Sequence, residues 1–63
     1  MNNKKIKGFI CLEYRGTTRY VNVSHIISFN ATNDGVTIKT VDGYVHKTEE
    51  TIGAIVNQIA DSQ

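Results

Sequence analysis

The chain has 63 residues, a net charge of +1 at neutral pH, one cysteine and no proline. This length accommodates one domain, and a single cysteine excludes an internal disulfide. Cys11, His25 and His46 lack the spacing of a structural zinc site, and no apolar run is long enough for a signal peptide or a membrane span. We therefore predict a cytoplasmic protein without a metal, a cofactor or a membrane association.

The small size of the chain also bears on its association state. Domains of this length bury only about 60% of the surface that the unfolded chain exposes, so many depend on disulfides, metals or self-association. Self-association remains after the first two are excluded, and it predicts a homo-oligomer, most simply a dimer. Residues 1–19 carry five basic and one acidic side chain, or +4, whereas residues 20–63 carry two basic and five acidic ones, or −3. This asymmetry indicates either an electrostatic docking face or merely two solvated ends.

The first strand is predicted over residues 5–14, after a polar stretch, residues 1–4, that we expect to be frayed. The alternation of apolar and polar side chains places Ile10 and Leu12 toward the core. The opposite face includes Cys11 and is less polar than a fully solvated face. We expect the helix or a partner to cover it.

A turn at Gly16 leads into the second strand, predicted over residues 18–23. Val21 and Val23 point inward in this strand, and Tyr20 points outward.

The third strand is predicted over residues 26–31, after a tight turn at Ser24 and His25. Because side chains two residues apart lie on the same side of a strand, we expect Ile27 and Phe29 to share one face.

The fourth and fifth strands are predicted over residues 36–41 and 44–48, after an Asn-Asp-Gly turn. The pair Asp42–Gly43 joins them and is typical of a two-residue type I′ turn, which requires positive φ at both central residues. This turn would place Val41 opposite Tyr44.

The last element is a helix over residues 51–61, where apolar side chains recur at i, i+3, i+4 and i+7. These are Ile52, Ile55, Val56 and Ile59. Thr48 and Thr51 are alternative N-caps that spacing does not distinguish. We expect the apolar stripe to pack on Val36, Ile38 and Val45. The predicted class is α+β, a small antiparallel β-meander of about five strands with one C-terminal amphipathic helix packed on the sheet.

The sequence contains no catalytic constellation, and we predict that the protein is not an enzyme. Ser24 and His25 are adjacent and point to opposite sides of an extended chain, which makes a poor nucleophile and base. Glu49 and Glu50 suit the positive end of the helix dipole. The glycines do not have the spacing of a phosphate-binding loop.

Aromatic and basic residues around the first hairpin are the candidate binding site. The residues are Tyr14, Arg15, Arg19, Tyr20, Lys5, Lys7 and His25. Tyrosine and arginine often anchor protein interfaces, which favours docking on a protein partner, as in a small regulator or a phage or mobile-element inhibitor of a host factor. The alternative is a nucleic-acid or nucleotide-binding protein, including an oligomer that sequesters a nucleotide signal. A net charge of only +1 weakens the nucleic-acid interpretation, and a merely polar hairpin also remains open.

The segment of residues 20–45, followed by the helix, resembles the small FlbD-like flagellar proteins and similar short phage proteins. The residues that carry the resemblance are Asn22, Ile26, Phe29, Asp34, Val36 and Gly43. This resemblance implies a β-rich fold closed by an amphipathic helix, Thr51 as the helix cap and a regulatory, non-enzymatic role. The same stretch is similar to the first half of LytTR-type DNA-binding domains, whose further strands and reading loop this sequence does not contain.

Overall fold

The computed structural model describes residues 6–62 and confirms an α+β fold with a C-terminal helix. The elements are β1 (Phe9–Tyr14), β2 (Thr17–Asn22), a 3-10 turn (Val23–His25), β3 (Ile26–Thr32), β4 (Gly35–Thr40), β5 (Val45–Thr48) and α1 (Ile52–Asp61). The first strand begins at Phe9, later than predicted, because Gly8 adopts a φ of +84° in a turn. The predictions for Lys5 and for fraying of residues 1–4 concern residues outside the described range.

The strands form two antiparallel sheets, one of β1 and β2 and one of β3, β4 and β5. The 3-10 turn separates them, because it redirects the chain between β2 and β3. The side chain of Asn22 caps this turn and accepts hydrogen bonds from the Ser24 backbone N–H at 3.0 Å and from the Ser24 hydroxyl at 2.8 Å. The five predicted strands are therefore present, and they divide two and three.

The core lies where the two sheets and the helix meet. Its buried members are Ile10, Leu12, Val21, Val36, Ile38 and Ile55. Full burial of such a side chain contributes about 1.5–3 kcal/mol relative to exposure, so this small cluster is the main source of stability. The inward positions predicted for Ile10, Leu12, Val21, Val36 and Ile38 are confirmed.

The prediction that Ile27 and Phe29 share a face is wrong. A β-bulge lies between Ile26 and Ser28, and it adds one residue to β3 relative to β4. Consequently Ile26 and Phe29 both pack against the core, whereas Ile27 is 59% exposed.

The Asp42–Gly43 turn is not of type I′, because Gly43 has a φ of +89° but Asp42 does not have a positive φ. Gly43 N–H donates to the Thr40 carbonyl at 3.0 Å, and Thr40 N–H donates to the Tyr44 carbonyl at 3.1 Å. The loop therefore contains three residues, a type I turn followed by a left-handed glycine. A shift of one residue reverses the faces of β5, so Val45 is exposed rather than in the core.

The helix begins after Thr51, whose side chain accepts a hydrogen bond from Ala54 N–H at 3.1 Å and caps the helix. Only Ile55 of the predicted apolar stripe is fully buried, and Ile59 is partly buried. The exposed fractions of Ile52 and Val56 are 39% and 48%. Among the strands, the helix contacts chiefly β1, and its Ile55 side chain reaches the core between the two sheets.

Hydrogen bonds from the helix and from the end of β5 close the outer edge of β1. Cys11 N–H donates to Gln58 Oε1 at 2.8 Å, and Gln58 Nε2 donates to the Cys11 carbonyl at 2.9 Å, so one amide takes the place of a neighbouring strand. Further along this edge, the Glu13 carbonyl accepts from Glu49 N–H at 2.9 Å and from Thr48 Oγ1 at 3.0 Å. These two bonds join β1 to the end of β5 and fix the relative position of the two sheets.

Candidate functional site

A cleft of about 410 Å³ opens between β5 and the hairpin of β1 and β2. Its lining residues are Leu12, Tyr14, Arg15, Thr17, Arg19, Val45 and Lys47. We call it the cationic cleft. Strand β1 is joined to the segment that follows β5, where Glu49 N–H donates to the Glu13 carbonyl. Paired residues of β1 and β2 lie on one face, and Arg19 is paired with Leu12, so the cleft continues the core face of the hairpin toward solvent.

The turn of this hairpin holds Arg15 in an unusual backbone conformation. Arg15 and Gly16 have φ values of +49° and +80°, which is the pattern of a two-residue type I′ turn. Among the described residues, Arg15 is the only non-glycine residue with a positive φ. Its guanidinium lies 5.2 Å from the centre of the Tyr14 ring, within the range of a cation–π contact. Its backbone N–H donates to Glu49 Oε2 at 3.3 Å, which places that carboxylate near the turn.

A chain of polar contacts runs from Arg19 through His46 and Thr40. Arg19 Nη1 lies 3.2 Å from His46 Nδ1, and His46 Nε2 lies 3.3 Å from Thr40 Oγ1. Arginine can only donate, so Nδ1 must accept and the proton of the neutral imidazole must be on Nε2. His46 then donates to the Thr40 hydroxyl. His46 thereby orients the guanidinium of Arg19.

The chain of contacts ends at Asp42. The Thr40 hydroxyl donates to Asp42 Oδ1 at 2.6 Å, and Tyr44 N–H donates to the same oxygen at 3.2 Å. The Thr40 hydrogen bond, followed by that of Tyr44 N–H, lowers the pKa of Asp42 below its ordinary value of 3.8. Asp42 therefore accepts both bonds as a carboxylate at neutral pH.

The lining of the cationic cleft carries positive charge and backbone donors. Arg15, Arg19 and Lys47 line it, and its lining includes no carboxylate among the described residues. Thr40 N–H donates to the Tyr44 carbonyl, so the backbone groups of Tyr44 face β4. Backbone groups of successive residues in a strand point in opposite directions. The N–H and C=O groups of Val45 and Lys47 therefore point away from β4, toward the side on which the cleft lies. This arrangement suits an anionic ligand that accepts hydrogen bonds.

The structure brings together three of the predicted binding residues, Tyr14, Arg15 and Arg19. Tyr20 is paired with Cys11 on the opposite face of the hairpin and is 40% exposed. Lys7 and His25 are exposed and do not line the cleft, and Lys5 lies outside the described residues.

Sequence reasoning missed Lys47 and His46 as members of the site. Lys47 lies in β5, and no local pattern shows that β5 packs beside β1. The alternation in β5 gives no usable signal, because it groups Lys47 with Val45, which the sequence pattern places in the core.

The face of the hairpin opposite the cleft contains a buried thiol. Desolvation, followed by the negative charge of Glu13, raises the pKa of Cys11. Desolvation and the contact with Cys11 also raise the pKa of Tyr20. Both groups are therefore protonated at neutral pH, and Cys11 is a weak nucleophile.

Residues 6–62 contain no group of three His, Cys, Asp or Glu side chains that could hold a metal ion. No helix in this range has the length and hydropathy needed to cross a membrane. No family model matches the chain, and neither the curated proteins nor the solved structures contain a match. The resemblance to FlbD-like proteins and LytTR-type domains stays a prediction.

Proposed function

We propose that the protein is a non-enzymatic binding module whose cationic cleft receives a nucleotide. The observation that carries this proposal is the convergence of Tyr14, Arg15, Arg19 and Lys47 on one cleft. Its volume of about 410 Å³ falls within the range of about 300–1,000 Å³ that small-molecule sites occupy.

The chemistry of the lining residues supports a phosphate-bearing ligand. Guanidinium groups bind phosphate oxygens through paired, charge-assisted hydrogen bonds, and Arg15 and Arg19 supply two such groups. Tyr14 offers an aromatic ring at the same site, and base–aromatic stacking contributes about 1–3 kcal/mol per base. A nucleotide combines both features, whereas an aliphatic carboxylate uses only the charge.

Isothermal titration calorimetry with ATP, and with adenosine as the uncharged comparison, tests the proposal. We expect ATP to bind more tightly than adenosine, and its affinity to fall as NaCl rises from about 50 to about 200 mM. Arg19→Ala should weaken ATP binding by about tenfold or more, because a hydrogen bond to a charged group contributes about 1.5–3 kcal/mol.

Lys39→Ala is the matched control, because Lys39 is an exposed cation of β4 that does not line the cleft. This variant should keep the affinity of the wild type. Equal losses in the Lys39 and Arg19 variants, or no binding of ATP at low salt, would contradict the proposal. A short oligothymidylate that binds more tightly than ATP would identify single-stranded nucleic acid as the ligand.

Docking on a protein is the second candidate function, and exposed apolar side chains around the turn between β4 and β5 favour it. Val41, Tyr44 and Val45 are 61%, 66% and 55% exposed, and Val45 also lines the cleft. Tyrosine is a frequent anchor of protein interfaces. In this function the protein is a small regulator, or a phage or mobile-element inhibitor of a host factor. A stoichiometric partner that wild type retains from a host lysate, and that Tyr44→Ala loses, would support docking over nucleotide binding.

We also propose that the protein acts in the cytoplasm. Its single thiol, that of Cys11, is free and buried. A free thiol suits a reducing compartment.

A further inference from the structure

The outer edge of β3 has no neighbouring strand within the described residues. Thr40 of β4 bonds to Tyr44, just before β5. Because successive residues alternate in direction, the odd-numbered residues of β4 direct their backbone N–H and C=O groups toward β3. Asn30 is paired with Thr37 and bonds inward, which leaves the N–H and C=O groups of Phe29 and Ala31 directed outward. Unpaired groups of this kind are a template for another strand.

The composition of β3 sets it apart from the other edges. Its sequence, IISFNAT, has no charged residue and no proline, the features that natural proteins use to protect an edge. The edge of β1 is closed by Gln58 and Glu49, and β5 carries Lys47. Within residues 6–62 the other open edge is that of β2, which carries Arg19, and self-pairing centred on Arg19 would bring it close to its own copy.

We propose that β3 pairs antiparallel with β3 of a second copy of this chain, with the two-fold axis at Asn30. In this register Phe29 of each copy lies opposite Ala31 of the other, so the outward N–H and C=O groups of both residues are bonded. The Phe29 ring is partly buried at the rim of the core, and the small Ala31 side chain leaves room for it. Asn30 lies opposite its own copy on the outer face, where two neutral amides can bond to each other.

A second copy fits this edge because identical strands are self-complementary only where no charge opposes itself. The exposed side chains of β3 include Ser28, Asn30, Ala31 and Thr32, all uncharged. Self-pairing also joins both three-stranded sheets into one continuous sheet. A strand edge of seven residues is smaller than a standard interface of about 800 Å² per partner, so we expect a reversible dimer with a Kd on the order of tens of micromolar.

Analytical ultracentrifugation of the full chain from about 5 to about 500 μM tests the proposal, because a reversible dimer dissociates on dilution. The wild type should change from monomer to dimer across this range. Asn30→Lys and Asn30→Asp should each weaken the dimer at least about tenfold, because like charges then lie directly opposite. An equimolar mixture of the two variants should restore a heterodimer. Asn30 is exposed, so circular dichroism should show both variants to be folded.

Thr18→Lys is the matched control, because it places the same charge at an exposed position of the other open edge, β2. This variant should dimerise like the wild type. A wild type that stays monomeric at the highest concentration would overturn the proposal. Loss of the dimer in Thr18→Lys but not in Asn30→Lys would place the interface on β2 instead. A Lys and Asp mixture that remains monomeric would contradict the two-fold axis at Asn30.

Discussion

The turns at Arg15–Gly16 and Asp42–Gly43 each connect two antiparallel strands, but the side chain of the first central residue stabilises only the second turn. In the second turn the Asp42 carboxylate accepts from the Thr40 hydroxyl and from Tyr44 N–H, so the side chain stabilises its own loop. In the first turn Arg15 has a φ of +49°, a conformation that glycine and asparagine adopt more easily, and its guanidinium reaches the cationic cleft. A non-glycine residue in this region costs about 1–3 kcal/mol, and such strain is concentrated at functional sites.

This difference distinguishes the two turns. The Asp42–Gly43 turn stabilises the fold, because the polar side chains around it are bonded to the loop and to one another. The hairpin of β1 and β2 presents its charge to solvent and retains a residue that is unfavourable for its backbone. Substitutions in the Asp42–Gly43 turn should therefore change stability, whereas replacing Arg15 by a residue that suits its backbone should change stability and binding in opposite directions.

The largest effect that we expect is at the turn that begins β4. Gly35 has a φ of +142°, and a Cβ there would clash with the Thr48 carbonyl oxygen of β5. This oxygen belongs to the backbone of β5, which cannot move away without breaking the pairing of Thr48 with β4 and its bond to Glu13. Gly35→Ala should therefore lower the free energy of unfolding by about 3 kcal/mol or more, measured by urea denaturation.

Gly43→Ala is the matched comparison for Gly35→Ala. Gly43 has a φ of +89°, but a Cβ there would meet no atom within 4 Å. Only backbone strain remains, so we expect a loss of about 1–2 kcal/mol. Equal losses at the two glycines would show that the close approach of β4 and β5 does not constrain the fold.

The second effect is a gain of stability at Arg15. Asparagine is favoured at the first central position of a type I′ turn, so Arg15→Asn should raise the free energy of unfolding by about 0.5–1 kcal/mol. This gain corresponds to an increase of roughly 2–8 °C in Tm for a chain of this size. The same variant should weaken ATP binding, because it removes one cation of the cleft.

Arg15→Lys separates the two contributions, since it keeps both the charge and the backbone strain. Its Tm should equal that of the wild type, and its ATP affinity should lie between those of the wild type and Arg15→Asn. An Arg15→Asn protein that is less stable than the wild type would show that the contact with Tyr14 outweighs the strain.

Local patterns in the sequence predicted the parts of this fold that depend on near neighbours. Alternation in β1 identified Ile10 and Leu12 as core residues, and the nearness of Tyr14 and Arg19 across one turn identified three of the seven residues that line the cleft. The bulge that exposes Ile27 could not be predicted, because the residues around it are all compatible with a regular strand.

The remaining parts depend on contacts between distant segments. The cleft exists because Thr48 and Glu49 bond to Glu13, a contact that joins segments at opposite ends of the chain. The positions of Lys47 at the cleft and of His46 beside Arg19 follow from that contact. The Asp42–Gly43 dipeptide predicts a two-residue turn, but the bonds of the Asp42 side chain select the three-residue loop. Side-chain hydrogen bonds of this kind are not apparent from propensity.

The smallest effect that we expect is a dependence of stability on acid pH through Asp42. The Thr40 hydroxyl and Tyr44 N–H lower the pKa of Asp42 below 3.8, so its stabilising contribution is fully present above that value. The contribution is lost as the pH falls through the lower pKa of the folded state, because the protonated carboxyl accepts these bonds more weakly.

Asp42→Asn removes this titration and keeps an acceptor oxygen. The difference in Tm between the wild type and Asp42→Asn should therefore shrink as the pH falls below about 4, measured by thermal denaturation from neutral to strongly acid pH. Other carboxylates titrate in both proteins and cancel in the difference, so a difference that stays constant would show that Asp42 does not stabilise its turn as a carboxylate.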